Sequence, residues 1–242
     1  MATKCANCPL RAKDLFTNMT ADEVAAMQRF KVGELAVNAG TPLLLEGSKS
    51  PQLYTVLDGI ALRSKVLSNG DRQVINIVFA GDFLGLQSAL MGEMGHSVDA
   101  VTDMTLCVFD RAELTSFFQA QPKRAFALTW LAATEEHFLG EVIATLGQRT
   151  AEQAVAWALL KVFQRGQGLG LVKDDAMALP IKQRDLADAL GLSLVHTNKT
   201  IARLRDRQLL DWSDGKLRIN DLDKVAQVAL QEIEPLPPRP LW

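Results

Sequence analysis

The sequence predicts an α+β chain in three successive parts: a segment of short strands, one long helix, and a pair of short helices followed by a hairpin. Three observations carry this. Between residues 30 and 110, short β-rich runs alternate with glycines at 33, 40, 47, 59, 70, 81 and 85, and Ser68-Asn69-Gly70-Asp71 is a strong hairpin turn. Residues 121–147 carry apolar side chains at helical spacing. Residues 179–219 hold two amphipathic stretches around Gly191, then a second hairpin signal at Asp214-Gly215.

The bulk numbers narrow the classes. At 242 residues with 48% hydrophobic content, the chain can fill one large core or two ordinary ones. Its net charge is −2, so it has no global basic signal for nucleic acid, yet residues 179–219 carry eight cations against five anions. No run of about 18 apolar residues is present to span a membrane, and the N-terminus lacks the apolar core of a signal peptide. Three cysteines do not pair into a secreted disulfide framework. A reducing, cytoplasmic location would leave them free for metal.

Taken in order, residues 1–15 carry Cys5 and Cys8 as C-x2-C, a spacing that lets two thiolates reach one metal or cluster. Runs 53–57, 60–66, 73–78 and 106–109 read as strands of a closed β architecture, a sandwich or jelly roll. In the long helix, Leu128, Leu131, Phe138, Val142 and Thr145, widened by Leu139, Ile143 and Leu146, form a seam. It is either core-facing or a coiled-coil face, and its length and place between two domains favour a dimer. Residues 147–150 read as a hinge, 151–165 as an amphipathic helix, and 166–170 as a flexible break. Helix 182–190, the Gly191 turn and a second helix after the N-cap residue Ser193 follow. That second helix buries Leu194, Thr197, Ile201 and Leu204 and turns Val195, His196, Asn198, Lys199 and Arg203 outward. A helix of this size fits the major groove of B-DNA. Residues 223–233 read as a short helix, and the Pro-rich stretch after it as extended or disordered.

The stretches GELAVNAGTPLLLEG, TVLDGIALRSKVLSNGDRQVINIVFAGDFLGL, LGQRT and QRDLADALGLSLVHTNKTIARL together resemble the CRP/FNR family of bacterial transcription regulators, over almost the whole chain. The resemblance implies an N-terminal cysteine segment (1–15), a β-roll sensor like a cyclic-nucleotide domain (16–120), a dimerisation helix (121–147), a winged helix-turn-helix (148–234) and a disordered tail (235–242). It also implies a homodimer on an inverted-repeat DNA site and contact with RNA polymerase.

In the family's cAMP-binding branch a Glu follows the GDF-x-G turn, and an Arg-Ser pair holds the phosphate. Here Leu86 and His96-Ser97 stand at those positions, which excludes cAMP. The FNR branch holds a 4Fe–4S cluster on N-terminal cysteines and one distant cysteine. Cys5, Cys8 and Cys107 match three of these, while Asp14 stands where a further cysteine would be. The implied metal ligands are therefore Cys5, Cys8, Asp14 and Cys107, with an open position or another side chain as the alternative to Asp14. The implied control is by oxygen, redox state or nitric oxide. Zinc, a disulfide or a purely structural Cys107 are the competing readings of the thiols. His96 and His137 read as surface or packing residues rather than haem ligands.

On the DNA side, the resemblance places Leu194, Val195, Asn198 and Lys199 against bases. His196, Arg203, Gln183, Arg184 and Lys216 are assigned to phosphates. Val195, Asn198 and Lys199 replace the Glu, Ser and Arg of FNR-type readers, which implies a different site preference. A regulator with a small-metabolite ligand or no cofactor is the main alternative. A cupin-type enzyme needs a metal triad in the β-domain, where His96 stands alone.

Overall fold

A computed structural model describes residues 2–242. The chain divides into two compact units: Met1–Leu67, Ile75–Glu136 and Pro238–Trp242 form unit 1, and Ser68–Val74 and His137–Pro237 form unit 2.

In unit 1, two short 3₁₀ turns (Cys5–Asn7 and Pro9–Ala12) lead to strand β1 (Phe16–Thr17) and helix α1 (Ala21–Phe30). Thr20 and Glu23 form a reciprocal capping box that starts α1. The β-roll follows: β2 (Lys31–Val37), β3 (Pro42–Leu44), β4 (Gln52–Asp58), β5 (Ala61–Val66), β6 (Arg72–Val78), β7 (Phe83–Leu84), helix α2 (Leu86–Met91), β8 (Ser97–Ala100) and β9 (Met104–Asp110). They pair as two four-stranded sheets, β2-β9-β4-β7 and β3-β8-β5-β6. Leu53, Val56, Val98 and Leu106 are fully buried and fill the roll. Helix α3 (Leu114–Ala120) and the first half of α4 (Pro122–Gln148) close one end. There Leu128 and Leu131 join a core with Phe30, Phe83, Phe109 and Phe117. Gly81 permits close packing, since a Cβ there would lie 2.3 Å from the Phe16 ring.

Unit 2 continues from α4 into α5 (Ala151–Gly168), started by a Thr150–Gln153 capping box. A three-stranded sheet, β10-β12-β11, is built from β10 (Ala176–Ala178), β11 (Leu210–Ser213) and β12 (Lys216–Ile219). Helices α6 (Gln183–Leu190), α7 (Leu194–Asp206) and α8 (Leu222–Ala229) complete it. Strand β13 (Arg239–Pro240) lies in unit 1 and pairs in parallel with β1.

The sequence reading needs three corrections. First, the seam assigned to dimerisation is split: Leu128, Leu131 and Thr145 are buried and Phe138 stacks on Trp157, while Ile143 and Leu146 of the same seam are exposed. The exposed row of α4 is Phe126, Thr129, Ala133, Glu136, Gly140 and Ile143, also at steps of three and four. A helix covered by its own chain on one side shows two stripes, and the more apolar one goes to the core. Second, 166–170 is not a simple flexible break. Helix α5 runs to Gly168, and Gly166 is buried because Met177 sits where a Cβ would be, 2.4 Å away. Third, the 235–242 stretch is not disordered throughout: Leu241 and Trp242 are among the most buried residues of unit 1.

Candidate thiol site and nucleic-acid interface

Unit 2 presents its reader as the spacing predicts. Ser193 caps α7 by accepting the His196 backbone N–H at 3.2 Å. Gly191 takes the left-handed conformation, φ +63°, that ends α6. Thr197, Thr200, Ile201 and Leu204 turn inward, while Val195, His196, Asn198, Lys199 and Arg203 are exposed. Leu194, expected on the apolar stripe as well as against bases, is exposed, so it belongs to the outward set. Asp214 and Gly215 both have positive φ, which makes the β11–β12 connection the tight turn that twisted hairpins favour. Lys216 and Arg184 are exposed, and Gln183 is half-buried. Arg184 Nε donates to Asp188 at 2.9 Å.

Sequence reasoning missed a partner of α6. Arg72, in the Ser68–Val74 hairpin tip that belongs to unit 2, donates to Asp188 from Nε at 3.0 Å and from Nη2 at 2.9 Å, and also pairs with Asp185. Asp185 is buried and accepts the Lys182 backbone N–H at 2.8 Å. Gln73 Nε2 adds a bond to the Ala189 carbonyl at 3.0 Å. The hairpin turn was legible, but its target lies over a hundred residues away.

In unit 1, the three cysteines fall in one electrostatic neighbourhood. The Cys5 and Cys107 thiols each feel Cys8 and Lys31, and both pack against the same aromatic core. Burial pushes the Cys5 thiol above its ordinary pKa, and pushes Cys107 up to about 11 despite the cation beside it. Lys31 is itself buried. Its ammonium donates to Glu34 at 2.7 Å and to the Thr3 carbonyl at 2.7 Å. Burial opposes its charge, but Glu34 and Cys107 outweigh burial and hold its pKa above that of an ordinary lysine.

Across the sheet, Glu34, Cys107 and Thr55 stand directly opposite one another on β2, β9 and β4. Directly opposed residues share a face, so this row puts a carboxylate and a hydroxyl on either side of the thiol. The Thr3 N–H donates to Glu34 at 2.9 Å, which ties the Cys5–Cys8 segment to β2. Asp14, by contrast, is exposed. Among the described residues, no three His, Cys, Asp or Glu side chains converge on a single metal-ion position.

The positions compared with the cAMP branch are equally informative. Leu86 packs on the aromatic core. His96 is half-buried, and burial together with the Arg63 charge holds its pKa down to about 4. At neutral pH it is an uncharged imidazole, unable to supply the fixed cation that a phosphate needs. His137 is exposed.

Residues 34–121 match the cyclic nucleotide-binding domain, and residues 153–228 match the Crp-like helix-turn-helix domain. The transcriptional activatory protein AadR of Rhodopseudomonas palustris is 30% identical over 180 residues, covering 74% of each chain. The chain belongs to the CRP/FNR family of transcription regulators. The nitrogen fixation regulation protein FixK of Bradyrhizobium diazoefficiens is 27% identical over 225 residues, 93% of each chain. The fold is also that of FixK2 from Bradyrhizobium japonicum, with a TM-score of 0.74 at 24% identity over 83% of this chain and 98% of that one. This CRP/FNR chain is thus a DNA-binding regulator and not an enzyme. Among the described residues no helix is long and apolar enough to cross a membrane.

Proposed function

We propose that this CRP/FNR regulator binds an inverted-repeat DNA site as a cytoplasmic homodimer and engages RNA polymerase, under the control of an iron–sulfur cluster of the 4Fe–4S type. One observation carries the reading: Cys107 shares one neighbourhood with Cys5 and Cys8, about a hundred residues away in sequence, and Lys31 acts on both Cys5 and Cys107. Soft thiolates are the donors such a cluster uses. Cys5, Cys8 and Cys107 would hold it. The packing of Cys5 and Cys107 on the aromatic core limits water, and Lys31 offsets thiolate charge. When bound, the cluster supplies an oxygen-, redox- or nitric-oxide-labile crosslink between the N-terminal segment and β9.

The fourth donor is one of two carboxylates. Asp14 takes the place of the family's cysteine in sequence but is exposed, whereas Glu34 already stands opposite Cys107. The exposed row of α4 is the dimer face in this reading. On DNA, Lys199 donates to guanine, Asn198 pairs with adenine, and Val195 and Leu194 pack on thymine methyls. His196, Arg203, Gln183, Arg184 and Lys216 hold phosphates.

Absorbance near about 400 nm in anaerobically purified protein, with iron and sulfide assayed on the same sample, tests the cluster. The expected result is absorbance lost in Cys5→Ser and Cys107→Ser, and lost or shifted in either Asp14→Ala or Glu34→Gln. Iron-free wild-type protein that binds its site equally well in air and without it would refute the reading.

A further inference from the structure

Unit 1 contains a fitted pocket that neither DNA reading nor the thiols account for, and its occupant is the Pro238–Trp242 segment. The Trp242 ring is 2% exposed. Phe30, Phe83, Phe109 and Phe117 meet it edge-on, with centroids 4.7–5.7 Å away. Its indole N–H donates to the Arg124 carbonyl at 2.8 Å. The two carbonyls beside the ring are matched as well: Leu241 accepts from the Arg124 guanidinium and Trp242 from the Thr55 hydroxyl. Arg239 pairs with Asp82 at 2.9 Å, and its backbone N–H donates to Leu15 at 2.8 Å. A buried indole whose donor is satisfied, flanked by carbonyls that each find a donor, has the anatomy of a peptide hot spot.

The approach to this segment is of the opposite character. Residues 232–238 are exposed and lie in no helix or strand. A short tether of this kind can give its end an effective concentration on the order of millimolar. A peptide that binds only at micromolar strength is then almost always bound when tethered, and still leaves and returns.

We propose that unit 1 is a receptor for a peptide of the form Arg-Pro-Leu-Trp, occupied by this chain's own Pro238–Trp242 segment, which exchanges on and off while unit 1 stays folded. The pocket takes an aromatic ring bearing one N–H donor, between two main-chain oxygens. Its occupancy covers the thiol row, because Thr55, which holds the Trp242 carbonyl, stands directly opposite Cys107. Release therefore opens Cys107 to solvent. This inference does not depend on iron.

The test uses the full chain with a site-specific protease sequence in place of residues 232–236. After cleavage the segment should remain bound and be displaced by the free peptide Pro-Pro-Arg-Pro-Leu-Trp at about 1 mM or below. The same peptide with Ala for Trp should compete at least about 30-fold more weakly. Alkylation of Cys107, followed by mass spectrometry, should rise several-fold on displacement with the β-sheet circular dichroism unchanged. In the uncut chain, Trp242→Phe keeps a ring but removes the N–H, and should raise Cys107 alkylation at unchanged circular dichroism. Failure of labelled peptide to exchange into the cleaved chain, equal competition by the Ala peptide, loss of β-structure on release, or unchanged alkylation in Trp242→Phe would each overturn the proposal.

Discussion

The two units carry their chemistry in opposite ways. Unit 1 hides it: Cys5 and Cys107 are packed on aromatic rings, Lys31 and Trp242 are buried, and His96 is half-buried and held neutral. Unit 2 displays it: Val195, Asn198 and Lys199 stand exposed on α7 while Ile201 and Leu204 anchor the helix beneath them. In the proposed reading, the difference follows from what each unit does. Reading a base edge requires a side chain that reaches past the protein surface. Holding a labile group, or a thiol whose protonation is shifted, requires that water be kept away. A functional residue in unit 1 is therefore also a stability residue, and one in unit 2 is not.

That contrast can be broken by substitution. The largest effect is expected for Trp242→Ala, which removes a buried ring and its hydrogen bond to the Arg124 carbonyl. Unit 1 should lose about 3–5 kcal/mol, read as a lowered urea midpoint, with little dependence on salt. A change below 1 kcal/mol would show that burial does not hold the segment.

Next comes Lys199→Ala. It should weaken binding to the specific site by about 1–3 kcal/mol while leaving the thermal midpoint where it was. Titrations against specific and random DNA check this, and an equal loss on both would reassign Lys199 to phosphate. Arg72→Ala is intermediate in kind, since it removes charge pairs that are partly exposed. About 1 kcal/mol of stability is expected from it, shrinking as salt is raised.

A pH titration sharpens the same contrast in unit 1. The folded pKa of His96 lies near 4, below its ordinary value, so the neutral form favours the fold. Its contribution is fully present above about pH 6.5 and is lost as pH falls from there toward 4. Urea midpoints should decline across that window in the wild type and decline less in His96→Gln. The smallest effect is expected for Arg184→Ala, whose exposed guanidinium pairs with Asp188, itself still held by Arg72: stability within about 0.5 kcal/mol of wild type, and the salt slope of DNA binding lower by about one.

These differences also explain what could be read from the sequence. Helix α7 was legible because an exposed reader on a small domain must be amphipathic, and its cap, turn and hairpin residues are local signals: Ser193, Gly191 and Asp214-Gly215. The strands around 53–57 and 106–109 were legible as short apolar β-rich runs. The C-x2-C and Cys107 could be named, but their gathering around Lys31 depends on the pairing of β2 with β9, which no local pattern encodes. Helix α4 carries two stripes, and periodicity alone does not tell which one the rest of the chain covers. The Pro-rich 235–242 stretch has the composition of a solvated tail. Its anchoring depends on Phe30, Phe83, Phe109 and Phe117 being brought together by elements far away in sequence.

That anchoring has a consequence in time. A chain leaves the ribosome from its N-terminus at about 5–20 residues per second. The strands and first helices of the β-roll have emerged once residue 121 is out, yet their aromatic centre is completed only when Leu128, Leu131 and finally Trp242 arrive. For an interval of about 6–24 s at those rates, the nascent roll is complete in its sheets and open at its centre. Apart from the Ser68–Val74 hairpin tip, the reader domain is made entirely within that interval. The order of synthesis thus makes the DNA-binding unit complete before the unit that precedes it in sequence.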